Sequence, residues 1–340
     1  MDDHDDTTVT PLDDATIGER VVVRHVIPGE VGPTGGPAMT DVIGRVVAVD
    51  AETATIERRD GALTTVRLAE VVTAKRVPDG PRRVRTRPAM DFDPEELSRI
   101  CTHGWPPTET ELLGEWLLRA ADGFTGRANS VAVHGNPGVS FDVALDRVHT
   151  YYEERALPPK AQVIAASAWE KQFEDAGWHG IGGTHDHALV HVADLRDAVT
   201  YARNTDDEVT ITDTAADDWL ALYSRAAAAR PESARAVLEG PPSVGFVRIG
   251  NPLVAIGRVA VTGEWAGMSG VEVISSQQRQ GIGRRIVDAS LRWAYDHGAD
   301  KAYLQTMRHN TAALALYARY GFAEHHTYRY LTPMSTANTS

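Results

Sequence analysis

The chain of 340 residues is short of several things, and each shortage excludes something. It has one cysteine, Cys101. A lone thiol cannot close an intramolecular disulfide or found a cysteine-based metal cluster, so the composition suits a reducing cytoplasm and we expect no metal. No apolar run approaches the roughly 20 residues that a membrane-spanning helix needs. The start, M-D-D-H-D-D, is acidic where a signal peptide is basic and then apolar. We therefore expect a soluble cytoplasmic protein with no membrane partner. Positive charge is also scarce: 34 Lys and Arg stand against 47 Asp and Glu, a formal net charge of −13. Such a balance disfavours nucleic acid and anionic lipid as partners and mildly favours cationic ones such as amines.

What is present is ordinary for a soluble globular protein, with 42% hydrophobic residues, enough for a packed core in each of two or three domains. Residues 1–14 read as a disordered acidic tail. Residues 15–77 carry five short β-branched segments, beginning with E-R-V-V-V-R-H-V at 19–26 and separated by the Gly/Pro-rich stretch Pro28–Pro37 and the turn signal Asp60-Gly61. Five strands in so few residues predict a small all-β barrel. Residues 78–90 form a Pro/Arg-rich linker whose Arg82, Arg83, Arg85 and Arg87 read as a solvated connector or as partners of an acidic neighbour.

Residues 91–205 alternate helix and strand. Asp93 and Pro94 open a helix as N-cap and first residue, and Ser140 caps a second whose Leu145, Val148 and Tyr152 share a face. Strands are expected at E-W-L-L-R-A-A, A-N-S-V-A-V-H, A-Q-V-I-A-A and A-L-V-H-V. His185, His187 and His191 fall on one face of the last, which reads as the polar face of a sheet sooner than a zinc site. From about residue 206 the order is strand V-T-I-T, helix D-D-W-L-A-L-Y, a helix opened by Pro231, and an antiparallel run of strands ending in W-A-G-M-S-G-V-E-V-I.

Then comes Q-R-Q-G-I-G-R-R-I-V, Gln278 to Val287, opening a helix with Ile282, Ile286, Val287, Leu291 and Ala294 on its apolar side. A glycine-rich turn at a helix N-terminus gathers free backbone N–H groups and the positive end of the helix dipole, which suits a pyrophosphate. Gly281 and Gly283 let phosphates approach the backbone, and Arg279, Arg284 and Arg285 add charge. The motif is not a P-loop, which needs G-K-S or G-K-T. Nor does it fit a dinucleotide fingerprint: Ile286 stands where the third small residue belongs, and Asp300 precedes the next strand instead of ending it.

The following strand, A-Y-L-Q-T-M, and then N-T-A-A-L-A-L-Y-A-R-Y-G-F complete a pattern. With its Q-x-x-G-x-G loop and N-x-x-A-x-x-L-Y-x-x-x-G-F at this order and spacing, the sequence resembles the GNAT N-acetyltransferase superfamily over roughly 208–331. The resemblance implies an α+β fold, a mixed and mostly antiparallel sheet flanked by helices. It implies a catalytic domain over 206–332, a degenerate GNAT-like half over 91–205 in tandem, a barrel of the Src-homology-three type in front, and a short tail at 333–340. It implies acetyl-CoA as co-substrate. Gln278, Gly281 and Gly283, with Arg279 and Arg284 beside them, would hold the pyrophosphate. The backbone at Val273 would hold the pantetheine arm, and a bulge in that strand would offer an N–H to the thioester carbonyl. Asn310 would contact CoA near the thioester, or cap its helix, or both. Tyr317 would protonate the departing thiolate, or else pack beside Leu314 and Leu316.

The base is open at this level. Gln305 stands where some family members carry Glu, leaving Glu272 and Glu264; strand alternation sets Glu272 opposite Val271 and Val273, toward substrate or solvent. Arg127, Asn129 and His187 are expected to line a groove between the halves, and one of His325 and His326 to face the acceptor. The expected reaction is acetyl transfer to an amine on a small molecule or a protein. The alternative is a non-catalytic CoA sensor or interaction adaptor.

Overall fold

A computed structural model describes residues 12–31, 36–58, 61–77, 87–183, 187–203, 208–226 and 230–334. The acidic start, Asp60, Arg82, Arg83, Arg85 and His185 lie outside them. Five antiparallel strands come first: β1 (Arg20–Val31), β2 (Pro37–Val49), β3 (Thr53–Arg58), β4 (Leu63–Arg67) and β5 (Val71–Arg76), in the order β4-β3-β2-β1-β5. Alternation turns Val21 and Val23 of β1 inward against Val46, Ile56, Val66 and Ala74. The loop expected from Pro28 is instead the end of β1. Regular pairing stops after Val26 opposite Met39 and resumes only at Val31 opposite Pro37, so Pro28, which has no N–H, and Gly29 at φ +83° sit in an irregular stretch. Arg87 ends the connector by pairing with Glu96 at 2.7 Å and lying over the Phe92 ring.

The remaining elements build one long sheet. They are α1 (Pro94–His103), β6 (Glu109–Leu113), β7 (Trp116–Ala120), β8 (Val131–Ala132), α2 (Phe141–Glu153), β9 (Ala161–Ile164), α3 (Ala168–Asp175), β10 (Trp178–Gly180), β11 (His187–Asp194) and α4 (Leu195–Thr200). There follow β12 (Val209–Thr212), α5 (Asp217–Leu222), α6 (Pro231–Glu239), β13 (Ser243–Ile249), β14 (Ala255–Thr262), β15 (Trp265–Val273), α7 (Ile282–Asp296), β16 (Lys301–Met307), α8 (Thr311–Ala318) and β17 (Ala323–Pro333). Asp93 caps α1 as its sequence predicts, accepting from the amides of Glu95 and Glu96. Ser140 precedes α2 without a side-chain cap bond.

The strand order is β12-β13-β14-β15-β16-β11-β17-β9-β8-β7-β6, with β10 on β17. Pairing is antiparallel except for β15 with β16 and β8 with β9. β11, from the first half, lies between β16 and β17 of the second, running from Ala188 opposite Met307 to Asp194 opposite Lys301. The two halves therefore share a sheet. They also share a core: Trp105, Phe124 and Ala128 pack with Trp219, Tyr223, Val237 and Phe246. α7, whose predicted apolar face is fully used, covers the opposite side with Ala198, Tyr317 and Phe322. Arg24 reaches from the small sheet to Asp213 at 3.1 Å, and Arg58 to Asp296.

Candidate active site

β15 and β16 run side by side only from Trp265 opposite Lys301 to Met268 opposite Leu304. Beyond that point both strands continue but no longer pair. The cause lies on the other edge of β15. Ser269 opposes Arg258 and Glu272 opposes Ile256, so Gly270 and Val271 together face one residue of β14. This is a bulge, which bends its strand and strengthens its twist. Gly270 takes φ +62°, a conformation costly for a residue with a Cβ. The splayed strands leave their facing edges bare, and a cleft of about 520 Å³ occupies the gap. Here is the bulge that the family resemblance implies.

A 3₁₀ turn at Ser275–Gln277 leads from β15 to α7. Arg279 at φ +61° and Gly281 at φ +82° make the sharp entry, with Gly281 as N-cap and no side chain capping the helix. No hydrogen bond within the described chain uses the amides of Gly281, Ile282 and Gly283. A Cβ at Gly281 would meet nothing within 4 Å, and one at Gly283 nothing nearer than Leu316 at 3.8 Å. Packing does not demand glycine at 283; the absence of side chains leaves an open cradle over free N–H groups. The Gln278 side chain instead ties the loop to the strand, donating to the Val273 carbonyl at 3.1 Å. Arg279 is exposed and makes no bond among the described residues. Arg284 lies 3.8 Å from the buried Asp288, which also accepts from the Tyr320 hydroxyl at 2.6 Å, and Arg285 holds Glu208.

The cleft brings Glu272, Gln305, Asn310 and Tyr317 together. Asn310 caps α8 by accepting from the Ala313 amide at 3.3 Å, so its capping role holds while it lines the cleft. Tyr317 is buried against Phe322 and its hydroxyl makes no hydrogen bond among the described residues. Burial pushes its phenol well above the ordinary range, which keeps it protonated. Glu272 faces the cleft, away from Val271 and Val273, and accepts from the amide and hydroxyl of Ser224 at 3.1 and 2.7 Å. Gln305 accepts from Arg127 at 3.0 Å. Glu264 stands elsewhere, paired with the buried Lys301 at 2.8 Å.

The far wall comes from both halves. Arg127 lines it as expected, lying 4.0 Å over the Trp105 ring, but Asn129 and His187 do not. Asn129 is buried because its amide satisfies the loop before it, donating to the Phe124 and Thr125 carbonyls and accepting from Ala121 and Gly123. His187 is exposed on β11. Neither His325 nor His326 faces the cleft: they bond each other at 2.8 Å, and His325 bonds the Phe92 carbonyl. Burial, with His325 beside it, drives His326 down to about 4. Among the described residues no group of three His, Cys, Asp or Glu is placed to hold a metal. Sequence reasoning missed Lys160, Arg225, Tyr328 and Tyr330, which complete the wall. No local pattern marks them, since each becomes a neighbour of the others only through the shared sheet.

Splayed strands beside a helix N-terminal loop define a protein of the GNAT acetyltransferase fold. The solved GCN5-related N-acetyltransferase from Kribbella flavida has the same fold, with a TM-score of 0.51 at 15% identity over 71% of this chain and 95% of that one. Residues 95–331 match the family described as "Probable histone acetyltransferase Rv0428c C-terminal", and the chain belongs to that family. Residues 15–75 match "Rv0428c N-terminal Sm-like domain", so the small all-β domain carries that label. The "Probable histone acetyltransferase Rv0428c" of Mycobacterium tuberculosis is 28% identical over 94% of this chain and 96% of its own length. The "Uncharacterized N-acetyltransferase YobR" of Bacillus subtilis is 27% identical over 69% of this chain and 97% of its own. No helix among the described residues is long and apolar enough to cross a membrane.

Proposed function

We propose that the protein moves an acetyl group from acetyl-CoA to a primary amine by direct attack. The observation that carries this reading is an open, amide-lined cradle at Gly281–Gly283 that adjoins Leu316, a residue of the cleft between β15 and β16. The cradle, with Gln278, Arg279 and Arg284 around it, suits a pyrophosphate; the unpaired edge of β15 toward Val273 suits the amide-bearing arm beyond it. When bound there, acetyl-CoA supplies an activated acyl group.

The chain's own residues do the rest. The bulged backbone after Met268 offers N–H groups to the carbonyl oxygen as negative charge develops on it. Glu272, held by Ser224 and the only carboxylate lining the cleft among the described residues, takes the proton that the amine must lose. As the new C–N bond forms and the C–S bond breaks, Tyr317 gives its proton to the departing sulfur; solvent then restores it. Asn310 fixes the start of α8 and so the position of Tyr317.

One observation favours a second reading, a CoA sensor without chemistry. Gln305 occupies a place where a carboxylate would serve as base, and Arg127 engages it. Thiol release from acetyl-CoA, followed across a panel of primary amines, separates the two. Amine-dependent release supports transfer, whereas saturable acetyl-CoA binding with no release over background for any amine supports the sensor.

A further inference from the structure

The protein as a whole is strongly acidic, yet one end of its cleft is not. Arg127, Lys160 and Arg225 line it, against Glu272 as the single carboxylate among the described residues, and Glu272 is occupied by Ser224. Among the described residues none of the three cations has an ion pair. The Arg127 side chain bonds only the neutral Gln305, while the Lys160 and Arg225 side chains make no hydrogen bond among the described residues and the Lys160 ammonium lies 5.7 Å from the centre of the Tyr330 ring. Arg225 also reaches the same place as Arg127. Burial raises the phenols of Tyr223 and Tyr328, and both arginines pull them back down.

Two further cations stand behind this wall. Arg119 and Arg258 are fully buried. Arg119 donates to the Ser130 carbonyl and hydroxyl, Gln162 and Thr102; Arg258 donates to the Leu238 and Gly104 carbonyls and to Ser269, itself a cleft residue. All these acceptors are neutral. A buried charge is normally matched by an opposite one, because leaving it unmatched is costly. Here no opposite charge is bonded to either guanidinium among the described residues. Burial accordingly depresses both guanidiniums and the Lys160 ammonium.

We propose that the acceptor itself carries the missing charge: it is a small primary amine bearing an anionic group, a carboxylate or a phosphoryl, seated against Arg127, Lys160 and Arg225 with its amine toward Glu272 and Tyr317. This rests on the acetyl-transfer reading for the amine end and on the uncompensated cations for the anionic end. A lysine-rich peptide is the wrong partner for such a wall, since like charges in a low-dielectric site repel.

Calorimetric titration of the full chain tests this directly. The probes are amino acids against their amides and methyl esters, phosphoethanolamine against ethanolamine, and a lysine-rich peptide. The anionic member of a pair is expected to bind about tenfold or more tightly than its neutral counterpart, the worth of a charge-assisted hydrogen bond. Which pair shows the larger gap tells carboxylate from phosphoryl. The gap is expected to shrink to within about twofold in Lys160→Gln combined with Arg225→Gln, two side chains whose loss breaks no hydrogen bond or ion pair among the described residues. Equal binding of neutral and anionic members, tighter binding of the peptide, or binding of no probe overturns the inference. Acetyl-CoA is titrated in parallel. Anion-selective amine binding without acetyl-CoA binding defeats the transfer reading and leaves the anion site; acetyl-CoA binding without anion selectivity does the reverse.

Discussion

The two walls of the cleft are built on different principles. The wall formed by β15 and α8, with the Gln278–Gly283 turn adjoining it at Leu316, presents chiefly backbone: unpaired strand edges, free amides and a missing Cβ. The wall formed by residues 125–127, Lys160, Arg225 and β17 is made of side chains, chiefly cations and tyrosines. A backbone wall recognises what is constant in a cofactor and needs a contiguous motif. A side-chain wall recognises what varies among acceptors and is drawn from four distant stretches of chain. The first is therefore a local property of sequence, and the second a property of the assembled sheet.

This contrast holds only if the halves fold together, and that has the largest expected effect to measure. Trp116 is fully buried in the first half, stacked on Phe173 and edge-on to Trp169. Trp116→Ala is expected to cost about 3–5 kcal/mol in denaturant unfolding. Because β11 lies between β16 and β17, the loss should appear in one shared transition that also lowers the apparent stability of the proposed acetyl-CoA site. Two separate transitions, with the second half unmoved, would break the comparison at its base.

In the proposed reaction the backbone wall binds and the residues between the walls react, so their variants should move different constants. Tyr317→Phe keeps the packing against Phe322 and removes the proton donor; kcat should fall about 100-fold with acetyl-CoA affinity unchanged. Glu272→Gln keeps an oxygen for Ser224 and removes the base. Its kcat should fall about tenfold at neutral pH, and the deficit should narrow as rising pH frees the amine unaided. A deficit independent of pH would remove Glu272 from the mechanism.

Smaller effects come from histidines that both halves bury in neutral form. Burial first, with nearby arginines, lowers His134 to about 3; burial likewise lowers His297 to about 4, and His326 to about 4. The unfolded chain takes up protons at about 6.5 that the folded chain refuses until near 4. Stability is therefore intact above about pH 6.5 and falls as pH drops toward 4. Each histidine contributes up to about 1.4 kcal/mol per pH unit in that window. Replacing His134, which bonds the Ser98 hydroxyl at 3.1 Å, with Gln should flatten the slope of unfolding free energy against pH by about one proton.

The same contrast explains what could be read in advance. Asp93-Pro94, the apolar face of α7 and the Gln278–Gly283 turn are contiguous signals set by capping, periodicity and backbone conformation, and the structure realises each of them. Strand order is not contiguous: nothing in A-L-V-H-V reveals that β11 will lie between two strands more than a hundred residues later. Pro28-Gly29 signals a turn, yet strand pairing tolerates it as an irregularity at the edge of regular register. Asn129 and His187 are polar residues near the right place in sequence, but one is consumed by its own loop and the other points outward. Lys160 and Arg225 line the cleft and look like any surface cation until the sheet assembles.

The central claim is that the Gly281–Gly283 cradle holds acetyl-CoA, and calorimetric titration of the wild-type protein and Gly283→Glu tests it most directly. Gly283 has ordinary helical backbone and no close neighbour, so the substitution places a carboxylate in the cradle with little strain. Micromolar binding to the wild type is expected, with a loss of about 100-fold or more in the variant and thermal unfolding unchanged to within a few degrees. No binding of acetyl-CoA to the wild type, or equal binding to both proteins, would contradict it.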